Sequence, residues 1–438
     1  MIRDGWDGLP VLTQELIICS ALLLPLVVIA ALLTRGYAPF RLTRAILRRF
    51  LWANVMFVLL IAVSVGMGIG LIAQERGLRQ GMAHAADKFD MVVSAPGSEL
   101  TMMLAAVFLQ PSNVGLLDGY AYNEIAEHEN VEIAAPIAFG DSFGDAPVIG
   151  TTAEFVTYLT DGALEGRLWE ATDEAVAGAA VGLAVGDSFT PSHGIGDSAE
   201  EHGHEGVGFH VVGQMPRTGT PWDRAILIPV EAVWEVHGLA NGHAPEAGDR
   251  IGPPFDAKFF PGTPAVIVRA SALWANYALR NEFTRDSEMM AFFPGSVLAN
   301  LYRIMGDVRQ AMSLMSIVTQ ILVAASVLLG LFILTRLFQR QVAMLRALGA
   351  PRRFVMAVVW LYGATLLTVG TLLGVAFGFA AAAALSRIVT QRTDILVTAS
   401  LGWSEVHLAL AFLSATCVLA LIPALALLRQ PIVANLRS

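Results

Sequence analysis

Five long apolar runs without a charged residue constrain this chain more than any other feature. An α-helix needs about 20 apolar residues to cross roughly 30 Å of hydrocarbon, so charge-free runs of about 18 residues or more are candidate spans. The runs are Leu16–Thr34, Phe50–Gln74, Gln310–Thr335, Phe354–Ser386 and Val406–Leu428. They predict an α-helical membrane protein with five transmembrane helices.

The composition agrees with a membrane setting and excludes several classes of protein. Charged residues make up 15% of the 438 residues and the formal net charge is -9, whereas an average soluble domain is about 25% charged. An ordinary cytosolic enzyme, a disordered protein and a nucleic-acid binder are therefore excluded. Both cysteines, Cys19 and Cys417, lie in apolar runs, so no disulfide can stabilise the polar middle of the chain. The only lysines, Lys88 and Lys258, lack the G-K-[ST] context of a P-loop, so this chain does not hydrolyse ATP in that way.

The charges that flank the runs predict the orientation, because short cytoplasmic loops retain arginine and lysine. Segments 35–49, 336–353 and 429–438 contain arginines and no acid, whereas segment 75–309 has 32 acids against 13 bases. We therefore expect an N-out, C-in chain with a large extracytoplasmic domain at 75–309 and a short outer loop at 387–405. A cleaved signal peptide is the alternative for residues 1–34, but it would carry positive charge before its apolar stretch. Residues 1–15 instead hold three acids and one arginine, which favours a retained extra helix.

The predicted spans contain close-packing residues and no acid, lysine or arginine. His407 is the one ionisable residue among them apart from the cysteines and tyrosines, and we interpret it as interfacial, which argues against an ion-coupled carrier. Glycines recur at one-turn spacing, which lets another helix approach closely; they are Gly66 and Gly70 in the second run and Gly370, Gly374 and Gly378 in the fourth. Packing within the bundle and a dimer interface both fit this pattern.

The segment 336–353 predicts a short surface helix. An apolar stripe lies beside a basic face, Gly349 is placed as a helix C-cap, and Pro351 begins the next element. The run Met344–Arg353 closely resembles the signature loop of MacB/FtsX-like permeases, the type VII class of ABC transporters. The resemblance continues in other segments: Leu164–Arg167, Val181–Asp187, Val211–Gly213, Pro423, Pro431 and Leu436-Arg437.

The resemblance implies a function and partners. In that family the cytoplasmic helix docks onto a separate ATPase subunit, a role carried over here to Arg340, Gln341, Met344, Leu345, Arg346, Leu348, Gly349, Arg352 and Arg353. It implies a non-catalytic permease in a bacterial cytoplasmic (inner) membrane, in contact with lipid, with its large domain in the periplasm. It also implies a second permease copy, most simply as a homodimer, and a possible periplasmic partner. ATP and Mg would be bound by the partner ATPase, and no cofactor by this chain.

Two departures from the family pattern stand out. Gln341 replaces a common glutamate, and the usual plan has four spans. The alternative from another class of function is an ATPase-independent envelope scaffold or a metal-responsive receptor.

The polar segment 75–309 predicts an α+β domain similar to the MacB periplasmic core, with an inserted lobe at about 166–250. Helices are expected at Tyr122–Glu129 and Val230–His237. Alternating or β-rich stretches predict strands at Met91–Ser94, Val131–Ile137, Pro147–Gly150, Phe209–Val212, Ala225–Ile228 and Ala265–Val268.

A glycine-rich stretch within this domain concentrates histidines and acids. Imidazole nitrogens can bind zinc, and the candidate ligands are His193, His202, His204 and His210. A solvated loop between two strands is the favoured alternative, and ordering such a loop would keep zinc affinity modest. Trp222, in the turn Thr218–Asp223, is either a partner contact or part of a core.

Overall fold

The computed structural model describes residues 6, 8–110, 112–194, 207–248, 250–285, 288–337, 339–393 and 395–428. The chain divides into two compact units. We call residues 1–77, 306–387 and 398–438 the helical unit, and residues 78–305 and 388–397 the sheet unit.

Thirteen helices and eleven strands are named here within the described residues. The helices are α1 Val11–Thr34, α2 Phe40–Arg49, α3 Leu51–Ala86, α4 Glu99–Ala106, α5 Gly119–Ala126, α6 Ala153–Leu159, α7 Val230–Val236, α8 Leu273–Phe283, α9 Pro294–Leu337, α10 Gln339–Ala347, α11 Arg352–Thr393, α12 Trp403–Leu419 and α13 Leu421–Leu428. The strands are β1 Met91–Ser94, β2 Val131–Phe143, β3 Ala146–Thr151, β4 Glu165–Gly166, β5 Glu174–Ala177, β6 Ser188–Phe189, β7 Ser192–His193, β8 Phe209–Gln214, β9 Ile226–Pro229, β10 Ala265–Ala270 and β11 Met290–Phe292.

Four helical stretches among the described residues are long and apolar enough to cross a membrane: α1, α3, α11 and Trp403–Ala426. The third predicted span, 310–335, lies within α9, where the apolar stretch Ile317–Gly330 is shorter. The presence of apolar helices is therefore confirmed, while the count of five spans stays a prediction.

Buried polar contacts join helices that are distant in sequence within the helical unit. The Arg76 guanidinium on α3 lies 2.8 Å from the buried carboxylate of Glu405 on α12. His407 Nε2 on α12 lies 2.9 Å from Glu15 Oε2 near the start of α1. Since Glu15 and His407 are both close to the N-terminal ends of their helices, α1 and α12 meet near those ends.

The sheet unit is built on one continuous mixed sheet. Its strand order is β11-β1-β10-β2-β3-β9-β5-β8-β4, with β6 on β8 and β7 on β2. Apolar residues are buried on both faces, because successive residues of β10 enter different clusters: Ile267 in one and Val266 and Val268 in the other. Helices therefore cover the sheet on both sides, and short strands such as β7 sit at its margin.

The predicted secondary structure of this unit is largely confirmed. All six predicted strands are present, as β1, β2, β3, β8, β9 and β10, and both predicted helices are present as α5 and α7. Strands β4 to β9 within 166–250 extend the same sheet through the parallel pairing of β3 with β9; the lobe boundary stays a prediction. Trp222 is fully buried and its Nε1 donates to Val107 O at 3.2 Å, so it belongs to the core.

The segment 387–405, predicted to be a short outer loop, contains the end of a helix and buried apolar residues. Helix α11 continues to Thr393, and Ile395 and Val397 enter the core of the sheet unit. The amide of Leu396 donates to Gly219 O at 2.9 Å. The apolar residues at 395 and 397 are therefore part of a core, while the outer location of 387–405 stays a prediction.

Candidate functional site

The signature segment forms helix α10 with a well-defined C-terminus. Gly349 has φ +92°, a conformation that costs glycine little and other residues more. Its amide donates to Arg346 O at 3.1 Å and the Ala350 amide donates to Leu345 O at 2.9 Å. These two bonds form a Schellman motif, so the predicted C-cap is confirmed. The chain then turns at Pro351 into α11.

Helix α10 presents an apolar face to solvent at its C-terminal end. Met344 and Leu348, one turn apart, are 46% and 85% exposed, whereas Ala343 is buried. Arg352 and Arg353 are exposed and follow directly, Leu345 and Arg346 are half-buried, and the side chains of Arg340 and Gln341 lie outside the described part of the structure. The helix therefore combines exposed apolar side chains with adjacent positive charge.

The two glycine stripes pack against each other within the chain. A Cβ added at Gly378 would lie 2.6 Å from Gly66 O, and one at Gly70 would lie 3.2 Å from Gly378 O. Gly374 and Gly370 meet Val65 and Ile61 of α3 equally closely, each at 2.7 Å from the added Cβ. The stripes hold α3 against α11, so these faces are covered by intramolecular packing and not by a second copy.

Three segments of the sheet unit that resemble the family pattern contact one another at β8: Leu164–Arg167, Val181–Asp187 and Val211–Gly213. The Arg167 amide donates to Val212 O at 3.0 Å, and the Gly186 amide donates to Val211 O at 2.8 Å. The carboxylate of Asp187 accepts from the Ala184 amide at 2.8 Å, which closes the turn before β6. These hydrogen bonds give the motifs a structural role, because they hold the neighbouring segments of the chain against one strand.

The structure groups His193 with two residues that the sequence analysis did not select. Asp141 Oδ1 lies 3.1 Å from His193 Nδ1 and 3.7 Å from His237 Nε2. One possible ligand atom from each of the three lies within 4.8 Å of the others. His210 is not in this group, because it lies on β8 with its Nδ1 2.7 Å from Ser188 Oγ. His202 and His204 lie outside the described residues.

A buried acid beside a buried histidine forms a second polar cluster. Glu231 and His243 are 1% and 5% exposed, and Glu231 Oε1 lies 3.5 Å from His243 Nε2. Burial raises the pKa of Glu231 to about 7, and burial, with Arg250 nearby, lowers the pKa of His243. Both shifts favour the neutral side chains. Neither residue was selected from the sequence, since nothing in the pattern around α7 reveals that Glu231 points into the core.

The comparison with solved structures gives matches of low identity. The periplasmic region of MacB from Actinobacillus actinomycetemcomitans is 10% identical, with a TM-score of 0.31, and the match covers 49% of this chain and 94% of that one. The extracellular domain of the noncanonic ABC-type transporter YknZ from Gram-positive bacteria is 10% identical, with a TM-score of 0.27, covering 46% of this chain and 98% of that one. No curated protein matches the sequence.

The C-terminal part of the chain matches a known family. Residues 313–432 match the family described as FtsX-like permease C-terminal. The matched range contains α10, its Schellman cap at Gly349 and the glycine stripe of α11, which are the features that the signature loop and the spans predicted. Residues 313–432 are therefore similar to the C-terminal domain of the FtsX-like permeases.

Proposed function

We propose that this chain couples ATP hydrolysis by a separate cytoplasmic ATPase to a conformational change of its sheet unit. In this proposal α10 docks onto the ATPase, and the sheet unit acts on an envelope substrate or partner outside the membrane. Two permeases and two ATPases form the complex, in a bacterial cytoplasmic membrane, with five spans in each permease.

The surface of α10 is the observation that carries the proposal. Leu348 is 85% exposed and Met344 46% exposed, in a short helix whose end is fixed by the Schellman motif at Gly349. Exposed apolar side chains beside arginines fit a protein surface that buries them on docking. The rigid cap would transmit displacement of α10 directly to α11.

Continuous helices supply the route between the two units. In this proposal the movement passes along α3, α9 and α11, each of which has residues in both units. The last turn of α11 is also held by the sheet unit, because the Arg224 guanidinium donates to Gln391 O at 2.9 Å. A small movement of these helices would therefore reach the sheet unit.

The contact between the beginnings of α1 and α12 supports the proposed topology. Glu15 contacts His407 at the N-terminal end of α12, so the beginning of α1 and the segment before α12 lie on the same side. We propose that segment 398–402 and the N-terminus both lie outside, and the contact between Glu15 and His407 supports this topology together with the flanking charges.

The test is copurification of the ATPase with variants of α10. Leu348→Asp combined with Met344→Asp should abolish copurification of the ATPase subunit with the tagged chain, because each change puts a negative charge on the docking surface. Both residues are exposed, so the variant should insert and retain the thermal stability of the wild type.

Leu273→Asp is the matched control. Leu273 is 82% exposed on α8 of the sheet unit, far along the chain from α10, and this variant should retain the ATPase fully. Undiminished copurification with the double variant of α10 would refute the docking role.

A further inference from the structure

We propose that Asp141, His193 and His237 form a Zn²⁺ site on the sheet unit. The site is separate from the residues of α10, so it goes beyond the proposed ATPase coupling. Its ligands come from β2, from β7 and from the C-terminal end of α7, which are three elements of one folded scaffold.

Strand pairing fixes two of the three ligands. Asp141 of β2 and His193 of β7 are directly opposed partners in an antiparallel pair, so their side chains project from the same face. The Gly194 amide donates to Gly140 O at 2.9 Å, and Ser192 Oγ donates to Ser142 O at 3.3 Å. A register shift between Phe139 and Asp141 marks a bulge in β2, a feature that redirects a side chain at functional sites.

A hydrogen bond to the backbone orients the third ligand, His237. His237 follows α7, and its Nδ1 lies 2.7 Å from Val233 O. A carbonyl only accepts, so Nδ1 carries the proton and the neutral ring keeps the lone pair on Nε2. That Nε2 is the atom that lies 3.7 Å from Asp141 Oδ1. Zinc-binding histidines are commonly oriented by such a bond from the other ring nitrogen to a backbone carbonyl.

The separations fit a single small cation. Zinc bonds to histidine nitrogen and carboxylate oxygen are about 2.0–2.2 Å long, which places tetrahedral ligand atoms about 3.3 Å apart. The distances from Asp141 Oδ1 to the two imidazole nitrogens, 3.1 Å and 3.7 Å, lie on either side of that value. Small rotations of the side chains would centre an ion among the three atoms.

The donor atoms favour zinc, and the exposed fractions of the three side chains determine how an ion reaches them. Two imidazoles with one carboxylate suit zinc and disfavour Mg²⁺ and Ca²⁺, which prefer oxygen ligands. The Asp141 side chain is 4% exposed, whereas His193 and His237 are 44% and 29% exposed. A buried carboxylate beside two partly exposed imidazoles keeps the two imidazoles within reach of solvent.

The experiment is Zn²⁺ titration of the purified full-length protein in detergent or nanodiscs, by calorimetry and by competition with a chromogenic chelator. We expect one Zn²⁺ per chain. His193→Ala, His237→Ala and Asp141→Asn should each weaken binding by at least about tenfold, since each removes one of three ligands. Co²⁺ bound in place of Zn²⁺ should show the visible absorption of a tetrahedral ion, and the absorption should disappear in His237→Ala.

Two controls separate this site from other histidines. His210→Ala, whose ring lies beside Ser188, should bind Zn²⁺ like the wild type. The double change His202→Ala and His204→Ala should leave a one-to-one site that still depends on His237.

Thermal unfolding without metal shows whether each variant is folded, and the isosteric Asp141→Asn guards against loss of structure in the alanine variants. Absence of Zn²⁺ binding by the wild type, or binding that survives His237→Ala and is lost on changing His202 and His204, would overturn the proposal. Copurification of the ATPase is measured separately, so failure of the metal site leaves the coupling role untouched, and the reverse also holds.

Discussion

The carboxyl group of Glu231 is buried at the start of α7, where it accepts a hydrogen bond from the Gly252 amide and faces His243. Its pKa is raised by burial from 4.5 to about 7. Between these two values the folded protein binds a proton that the unfolded chain releases. The contribution of this group to stability is therefore fully present below pH 4.5 and is lost as the pH rises through 7.

The raised pKa of Glu231 predicts how the stability of the wild type and of Glu231→Gln differs with pH. The wild type should lose about 3 kcal/mol of unfolding free energy relative to the variant between pH 4.5 and pH 8. The glutamine keeps the oxygen that accepts from Gly252 and does not titrate. Thermal unfolding of both proteins across this pH range measures the difference, in which the titration of His243 largely cancels. Parallel curves would show that Glu231 does not carry the raised pKa.

The cluster of Asp141, His193 and His237 could be predicted from the sequence only in part. His193 was selected because histidines and acids crowd the segment after it, but Asp141 and His237 lie 52 and 44 residues away from it. Only the pairing of β2 with β7, and the end of α7, bring them together. A two-residue strand such as β7 has no periodicity to detect, so no local pattern could have indicated these partners.

Helix packing was predictable as a chemical tendency, while the partner of each helix was not. The one-turn glycine spacing in α3 and α11 indicated close approach, and the structure shows that the two stripes face each other. Strands β1, β2 and β10 were predictable because each contains a short apolar run rich in β-branched residues or alanine, as expected of strands that are buried on both faces. The insertion of Ile395 and Val397 into the sheet unit was not, because two apolar residues in a short loop form no pattern.

Because α3 packs closely on α11, adding a single methyl group between them should lower the stability of the protein. Gly378→Ala places a Cβ 2.6 Å from Gly66 O, so the helices must separate, at a cost of about 1–3 kcal/mol of stability. Gly306→Ala, in α9, is the matched control because nothing lies within 4 Å of its added Cβ. The control should be neutral or slightly stabilising, since alanine favours helix over glycine by about 1 kcal/mol. Thermal unfolding in detergent distinguishes them, and equal midpoints would contradict the close packing.

At the scale of the whole molecule, the long helices α3, α9 and α11 each have residues in both units. Apolar length predicts helices but not where they end, and α3 and α11 run past the predicted spans, to Ala86 and Thr393. The last turns of both helices belong to the sheet unit, and in the proposed coupling these turns would carry the movement. The sequence could not indicate this, because the polar ends of α3 and α11 look like the beginning of loops.

The most direct measurement of the coupling is hydrogen exchange in the complete complex with its ATPase in nanodiscs, compared without nucleotide and with ATP trapped by vanadate. If α10 couples the ATPase to the sheet unit, exchange in the sheet unit should change, foremost in Ile388–Val397 and around Gly219, and Leu348→Asp should abolish that difference. Identical exchange of the sheet unit in both nucleotide states, in a complex that hydrolyses ATP, would contradict it.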